Sequence, residues 1–447
     1  MNKTDECKLN AFMAEVCSYI KWADVHDEVV LELRGHVEDR IEDYVNRGLP
    51  YSDALDKALK DMGAPAEIGR GLHRVHRPQT DWLFICMMGV YVGIALITMF
   101  SISGGTANAV NLSLYQGMFS RKLLWTGLGL GMMIGATLFD YRRLRAYSVY
   151  LWWGIMLLMM YTMIYCHRFG TIGKINLGGV SVDVFGFAPF LLLIAITGMV
   201  ARLRLHRRND FLMFTALCAI PMYPFLKNGM PASGLEYSIG LIALLLATPA
   251  LRKHRGIIVG AVAVVIVCLL APFTSDISAM RLKAYLHPQL YAHTAAYQYV
   301  QGRQALRDAG FWGHGLHASL PLLPGIQDEM VFNYAVYAFG WIGGISIVAL
   351  ALALLVRLVW MTTKTTDVYG TQLVVVVGVM LGIQFIYPVL MAFGVVPMVS
   401  VSFPMFGTDG CVTVVEFACL GVIMSIYRRR HIVRVANASQ NVRIHVE

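Results

Sequence analysis

The chain begins with polar, amphipathic sequence and continues as a series of long apolar runs. Over residues 28–45 apolar side chains recur at every third or fourth position, with acids and arginines between them. This period predicts an amphipathic helix, which Gly48 ends. We expect a second helix that is capped near Ser52 and ends at Gly63, followed by a short third helix. Residues 1–78 are therefore predicted to form a small, soluble helical domain.

The rest of the chain has the pattern of a transmembrane domain, which we place at residues 79–430. A helix needs about 20 mainly apolar residues to cross a bilayer. The chain contains ten such runs, of which the fifth and sixth are short: 82–101, 122–140, 147–166, 184–203, 211–226, 236–251, 256–273, 331–357, 370–394 and 403–427. We expect an all-α, polytopic membrane protein with about ten transmembrane helices and a short tail at 431–447.

Basic residues are concentrated in every second connection between these runs. They follow the second, fourth, sixth, eighth and tenth spans: Arg142, Arg143 and Arg145; Arg202, Arg204, Arg207 and Arg208; Arg252, Lys253 and Arg255; Arg357 and Lys364; and Arg428, Arg429 and Arg430. Short connections rich in Lys and Arg face the cytoplasm. Both termini are therefore predicted to be cytoplasmic, and the only long loop, at about 274–330, is predicted to lie outside.

Composition agrees with this division of the chain. Hydrophobic residues make up 57% of the sequence and charged residues 15%, against about 25% charged in soluble domains. Residues 1–78 hold 15 of the 28 acids. The net charge of +9 comes from the clusters that set topology, so we expect no nucleic-acid partner. The eight cysteines lack metal-binding spacing, and no metal site is predicted.

Two adjacent carboxylates end the long external loop. Asp328 and Glu329 immediately precede the eighth predicted span. An ionisable group at a membrane face carries a desolvation cost, which marks it as a candidate functional residue.

Several separated stretches occur in an order and spacing that are specific when taken together. They are Arg121-Lys122-Leu123-Leu124-Trp125 with Gly129, Phe139-Asp140-Tyr141-Arg142, Arg281-Leu282-Lys283-Ala284-Tyr285 with Pro288, Tyr297-Gln298 with Gln301, Gly310-Phe311-Trp312-Gly313-His314-Gly315, and Gly394-Val395-Val396-Pro397 with Phe403-Pro404. Over residues 82–430 the chain resembles the SEDS family, the FtsW/RodA/SpoVE-like peptidoglycan glycosyltransferases of the bacterial cytoplasmic membrane.

This resemblance implies a catalytic carboxylate in the external loop. Aligned without a gap, the family's aspartate falls on Glu329, and with one extra residue it falls on Asp328. We favour Asp328 because the family residue is an aspartate. The implied reaction is polymerisation of lipid II at the outer membrane face. There the carboxylate, as general base, takes a proton from the acceptor sugar hydroxyl, and undecaprenyl pyrophosphate leaves.

The resemblance also implies partners and substrate contacts. The candidate substrate-binding residues are Arg281, Lys283, Arg121, Lys122, Trp125, Tyr297, Gln298 and Gln301. Arg281 and Lys283 are expected to stabilise the leaving pyrophosphate, with help from a divalent cation such as Mg²⁺ or Mn²⁺ left open. Arg121 and Lys122 either meet lipid-linked phosphates at headgroup depth or anchor the helix there. The expected partners are lipid II, membrane lipids and a class B penicillin-binding protein.

Other features separate this chain from the family pattern. Residues 1–78 resemble the HAAS or permease-prefix domain, for which we expect an unidentified cytoplasmic partner. Polar clusters of the family are replaced by apolar residues at 182–190, before Gly340 and at 405–410. A catalytically inactive scaffold or regulator of cell-wall synthesis is therefore the alternative function. A lipid II transporter is favoured least, because charge within the spans is scarce.

Overall fold

The structure is a computed structural model. It describes residues 3–20, 26–75, 80–105, 117–169, 173–177, 180–201, 208–248, 260, 280, 283–294, 296–319, 323–365 and 367–430. The chain divides into two compact units, residues 1–80 with 427–447 and residues 81–426.

The described part of residues 1–80 forms four helices: α1 (Lys3–Ser18), α2 (His26–Asn46), α3 (Tyr51–Met62) and α4 (Pro65–Val75). Their apolar faces form one core, in which Val37, Ala54 and Ala58 are fully buried. Helix α3 ends at Gly63, as predicted, with a φ of 94° that favours glycine. The predicted cap at Ser52 is wrong, because the helix begins at Tyr51. Helix α1 was not predicted.

In the described residues of the second unit, the regular secondary structure is helical apart from one hairpin. Its elements are α5 (Trp82–Gly105), α6 (Met118–Leu138), α7 (Arg142–Phe169), β1 (Lys174–Leu177), β2 (Val180–Asp183), α8 (Val184–Val200), α9 (Arg208–Ala219), α10 (Met222–Lys227), α11 (Pro231–Ala247), α12 (Tyr297–Asp308), α13 (Val331–Lys364), α14 (Val368–Ala392) and α15 (Gly410–Arg428). By length and composition, α5, α7, α13, α14 and α15 are each able to cross a membrane. The chain is thus a mainly helical membrane protein. The count of ten spans stays a prediction, and the seventh predicted span, 256–273, lies outside the described residues.

Two predicted spans are not continuous helices in the structure. The fifth, 211–226, is divided between α9 and α10, since Pro221 has no N–H to continue the helical hydrogen bonding. The tenth, 403–427, becomes helical only at Gly410. Before it, the Pro404 carbonyl accepts a hydrogen bond from the Tyr91 hydroxyl at 2.8 Å, and Met405 has a φ of 60°. These contacts hold a buried, non-helical turn at 403–409.

Helix α13 is interrupted at Gly340, where φ is 72° and ψ is −179°. The interruption frees backbone groups that residues 310–315 satisfy. The Trp341 N–H donates to the Gly310 carbonyl at 3.1 Å, and the Gly315 N–H donates to the Ala338 carbonyl at 2.9 Å. A Cβ at Gly340 would lie 2.1 Å from the Phe311 carbonyl oxygen, so this crossing requires glycine. Residues 310–315 are thereby fixed to the first part of α13.

The hairpin was not predicted, because its two strands have four residues each. Its antiparallel register places Lys174 opposite Asp183. Asp183 then caps α8, since its carboxylate accepts a hydrogen bond from the Gly186 N–H at 2.8 Å. The hairpin therefore delivers a lysine and an aspartate to one place.

Candidate active site

Asp328 lies in a compact turn, residues 324–330, that leads into α13. The Asp328 and Met330 N–H groups both donate to the Gly325 carbonyl, at 3.1 and 2.9 Å. Buried Leu323, Ile326 and Met330 anchor the turn in the bundle. From α12, the Gln298 side-chain amide donates to the Pro324 carbonyl at 3.1 Å. The turn is thus held both by buried apolar contacts and by a hydrogen bond from α12.

The turn opens on a cavity of about 300 Å³. The cavity is also lined by the hairpin, by α11 and α14, and by the segment before α15. Its charged lining comprises five acids and one lysine: Asp183, Glu236, Asp328, Glu329, Asp409 and Lys174. Ser233, Gln384, Ser400 and Ser402 add polar groups. The described part of the cavity therefore has an excess of negative charge.

One oxygen of Asp328 is fixed by Thr408. Its Oδ1 accepts hydrogen bonds from the Thr408 N–H at 2.7 Å and from the Thr408 hydroxyl at 2.8 Å. Within the described residues, Oδ2 has no hydrogen-bond donor. Burial, and then the charge of Asp409, raise the pKa of the Asp328 carboxyl, although Thr408 and Lys174 oppose the shift. Asp328 is thus an oriented carboxyl with one oxygen available to take a proton.

Lys174 joins two other carboxylates of the cavity. Its Nζ lies 2.9 and 3.1 Å from the Asp409 carboxylate oxygens and 3.9 Å from Asp183 Oδ2. Burial, and then the charge of Asp409, raise the pKa of Asp183 to about 6. The only lysine that lines the described cavity is therefore already paired with acids.

Lys122 lies in a different environment from the predicted one. Its side chain is 2% exposed, and its Nζ donates to the Gly407 carbonyl at 2.6 Å and to the Thr413 hydroxyl at 3.2 Å. One turn further along α6, Trp125 packs on Gly410, where a Cβ would lie 2.1 Å from its indole. Both residues thus contact the segment that carries Thr408. Because the Lys122 side chain is buried in the bundle, it is not exposed to lipid headgroups in this structure.

The other candidate substrate-binding residues belong to several different segments of the second unit. Tyr297 and Gln301 are half-buried on α12, and neither lines the described cavity. Arg121 and Lys283 are exposed. Arg281 lies outside the described residues. Of the eight candidate substrate-binding residues, Gln298 contacts the Asp328 turn directly, and Lys122 and Trp125 contact the segment opposite it.

Several charged residues of this region were not predicted. Glu416 is 1% exposed, and its Oε2 accepts a hydrogen bond from the Met405 N–H at 2.9 Å. Glu236 is buried in the wall of the cavity. A single acid inside an apolar run was the available signal for both, since such a residue is costly in a membrane. Lys174 and Asp183 gave no such signal, because their proximity depends on the hairpin register.

Within the described ranges, no group of three or more His, Cys, Asp or Glu side chains is arranged to hold a metal ion.

A mainly helical membrane protein with an oriented, half-buried carboxylate that lines a cavity is one class of protein, and sequence comparison identifies its family. The family described as cell cycle protein, which comprises FtsW, RodA and SpoVE, matches residues 81–432. The chain belongs to this family, so the predicted SEDS resemblance is confirmed, and it is a multi-pass protein of the cytoplasmic membrane.

Individual relatives match this chain over nearly their whole length, and solved structures share its fold. The peptidoglycan glycosyltransferase MrdB of Escherichia coli K12 is 25% identical over 377 residues, covering 80% of this chain and 95% of MrdB. A chain from a peptidoglycan synthase complex has a TM-score of 0.61 at 17% identity and covers 78% of this chain and 98% of its own length. RodA of Thermus thermophilus has a TM-score of 0.53 at 16% identity, with coverages of 78% and 97%. These structural likenesses show the shared fold.

Proposed function

We propose that this protein is a peptidoglycan glycosyltransferase that polymerises lipid II at the outer face of the cytoplasmic membrane, with Asp328 as the general base. The observation that carries the proposal is the setting of Asp328. Thr408 binds one carboxylate oxygen, the other faces no donor among the described residues, and the side chain lines the cavity. Glu329 lines the same cavity, but the two hydrogen bonds from Thr408 favour Asp328 as the oriented base.

The chemistry requires a base in this state. The acceptor sugar hydroxyl attacks the anomeric carbon of the donor chain, its proton passes to Asp328, and the bond from that carbon to the pyrophosphate oxygen breaks. A raised pKa makes Asp328 a stronger base than an exposed aspartate, while the group still ionises to accept the proton. Arg281 and Lys283 remain the proposed cations for the departing pyrophosphate, because Lys174 is engaged by Asp409 and Asp183.

Topology and partners complete the proposal. Both termini face the cytoplasm, residues 1–78 form the cytoplasmic domain, and the 274–330 loop lies outside. The structural relative named as part of a peptidoglycan synthase complex supports a complex with a class B penicillin-binding protein, whose crosslinking activity would use the polymerised strand.

A non-catalytic scaffold is the second candidate function, and one observation favours it. Lys174 and Asp409 form an ion pair in the cavity wall, with both carboxylate oxygens within 3.1 Å of the ammonium group. Substrate phosphates would have to compete with this pair for the lysine. In a scaffold the pair would serve only to hold the hairpin against the segment before α15.

Polymerisation of labelled lipid II, with the strands separated on a gel, distinguishes the two functions. The purified full-length protein, alone and with its penicillin-binding protein, should produce strands, and Asp328→Asn should produce none. Asp308→Asn is the matched control, because Asp308 is an exposed aspartate at the end of α12. Absence of strands with every partner would favour the scaffold. Activity in Asp328→Asn together with loss of activity in Glu329→Gln would assign the role of general base to Glu329.

A further inference from the structure

The Lys122 side chain and Asp328 bind the two ends of a single peptide group. Lys122 Nζ donates to the Gly407 carbonyl oxygen at 2.6 Å. The N–H of that same peptide unit belongs to Thr408 and donates to Asp328 Oδ1 at 2.7 Å. A continuous chain of hydrogen bonds therefore runs from the lysine on α6, through one peptide plane, to the proposed base.

Such a chain has an electrostatic consequence. A cation at a carbonyl oxygen withdraws electron density through the conjugated amide, and this makes the N–H at the other end a better donor. Hydrogen bonds to an ionised acceptor are shorter and stronger than neutral ones. Lys122 thus strengthens the donor that holds the Asp328 carboxylate, without touching that carboxylate.

The peptide is also held in place from a second side. Glu416 on α15 accepts the Met405 N–H at 2.9 Å, and Met405 has the left-handed φ of 60°. Lys122 additionally donates to the Thr413 hydroxyl, whose residue lies in the first turn of α15. Two buried charges on different helices therefore hold the turn at Met405 and Gly407, immediately before Thr408.

We propose that Lys122 is a positioning residue for Asp328 and acts through the Gly407–Thr408 peptide group. The inference rests on the proposed function in taking Asp328 as the base. Under this proposal Lys122 does not make the substrate contact that the resemblance implied. Instead it orients the Asp328 carboxylate and favours its ionised form. The groups that also act on Asp328 are Asp409, Lys174 and Asp183 in the cavity wall, with Glu329 beside it in the chain.

The test measures Asp328 itself, apart from turnover. Infrared difference spectra of the full-length protein, with Asp328→Asn subtracted, give the pH midpoint at which the Asp328 carboxyl ionises. In Lys122→Gln, which keeps a donor but removes the charge, we expect this midpoint to rise by about one pH unit. Lys227→Met is the control for loss of a lysine charge, because Lys227 is exposed at the end of α10. An unchanged midpoint in a folded Lys122→Gln would overturn the proposal.

Kinetics provide the second measurement. At pH values below the wild-type Asp328 midpoint, lipid II polymerisation by Lys122→Gln should show a roughly tenfold lower kcat with KM unchanged, and the rate should recover at higher pH. A raised KM with an unchanged pH profile would instead make Lys122 a substrate contact and contradict the proposal. If the wild type forms no strands, the proposed function fails, yet the infrared midpoint still decides the inference.

A second pair of variants guards against misfolding at the buried lysine. Thr408→Val removes the hydroxyl donor to Asp328 Oδ1, and Thr408→Ser keeps it. We expect the ionisation midpoint to rise in Thr408→Val and to stay at the wild-type value in Thr408→Ser. Equal midpoints in the two variants would show that a hydrogen bond to Asp328 Oδ1 does not affect the ionisation of this carboxyl. Strengthening the Thr408 N–H donor at the same oxygen could then have no effect either, which would overturn the proposal even if Lys122→Gln does not fold.

Discussion

Charged residues have opposite settings in the two units of this protein. In the first unit they pair at the surface, as in Lys8 with Asp56 at 2.8 Å, where the two side chains are 47% and 56% exposed. In the second unit, Lys122 and Glu416 are 2% and 1% exposed and bind backbone atoms of the 403–409 turn. The comparison teaches that burial, and not residue type, decides which charges shape a site. Exposed pairs contribute little, whereas a buried charge that loses its partner is strongly destabilising.

The largest effect is expected from Glu416→Leu. The substitution removes the acceptor of the Met405 N–H and the negative charge that interacts with buried Lys122. Leaving these groups uncompensated should cost about 3 kcal/mol, which thermal unfolding of the purified protein in detergent would detect. Glu416→Gln keeps an acceptor for the N–H and should lose less. Equal losses in the two variants would show that the hydrogen bond from the Met405 N–H contributes nothing beyond the charge and the packing of Glu416.

The second prediction concerns charges of the cavity that are only partly buried. The proposed reaction requires ionised Asp328, so the rate should rise with pH through its raised pKa, above the 3.8 of an ordinary aspartate. Asp409 raises that pKa and Lys174 lowers it. The acidic limb of kcat/KM should therefore move to lower pH in Asp409→Asn and to higher pH in Lys174→Met.

The opposite directions of these shifts provide the control, because loss of stability alone would not move the limb both ways. Movement in the same direction in both variants would show that the limb does not report the ionisation of Asp328.

The difference between the units also explains which features were predictable from the sequence. Long apolar runs and the amphipathic period of α2 are local signals, and they predicted the helical membrane fold and most of its helices. The resemblance brought Asp328 and Glu329 to attention. The partners of Asp328 were not predictable, since Thr408 is 80 positions away and its turn was assigned to a helix. Lys122 was placed at the surface because its sequence neighbours do not show that α6 buries it against Gly407.

A smaller effect is expected where an uncharged side chain on α12 supports the 324–330 turn. Gln298 on α12 donates to the Pro324 carbonyl at 3.1 Å, and that contact is exposed. Gln298→Ala should lower kcat about threefold, since the loss of one exposed neutral hydrogen bond is a modest change. Gln304→Ala, an exposed glutamine on the same helix, should leave the rate unchanged. A loss of a hundredfold or more in Gln298→Ala would instead give Gln298 a direct contact with substrate.

The smallest effect is expected in the first unit. Lys8→Ala removes the ammonium group that contacts both carboxylate oxygens of Asp56, but both side chains are exposed and the core beneath them is apolar. Hydrogen exchange of residues 3–75, measured in the full-length protein, should be the same as in the wild type. Val37→Ala, which opens a cavity at a fully buried position, should accelerate exchange across α2 and α3. Faster exchange in Lys8→Ala would mean that a surface pair stabilises this unit, and the contrast with the buried charges of the bundle would not hold.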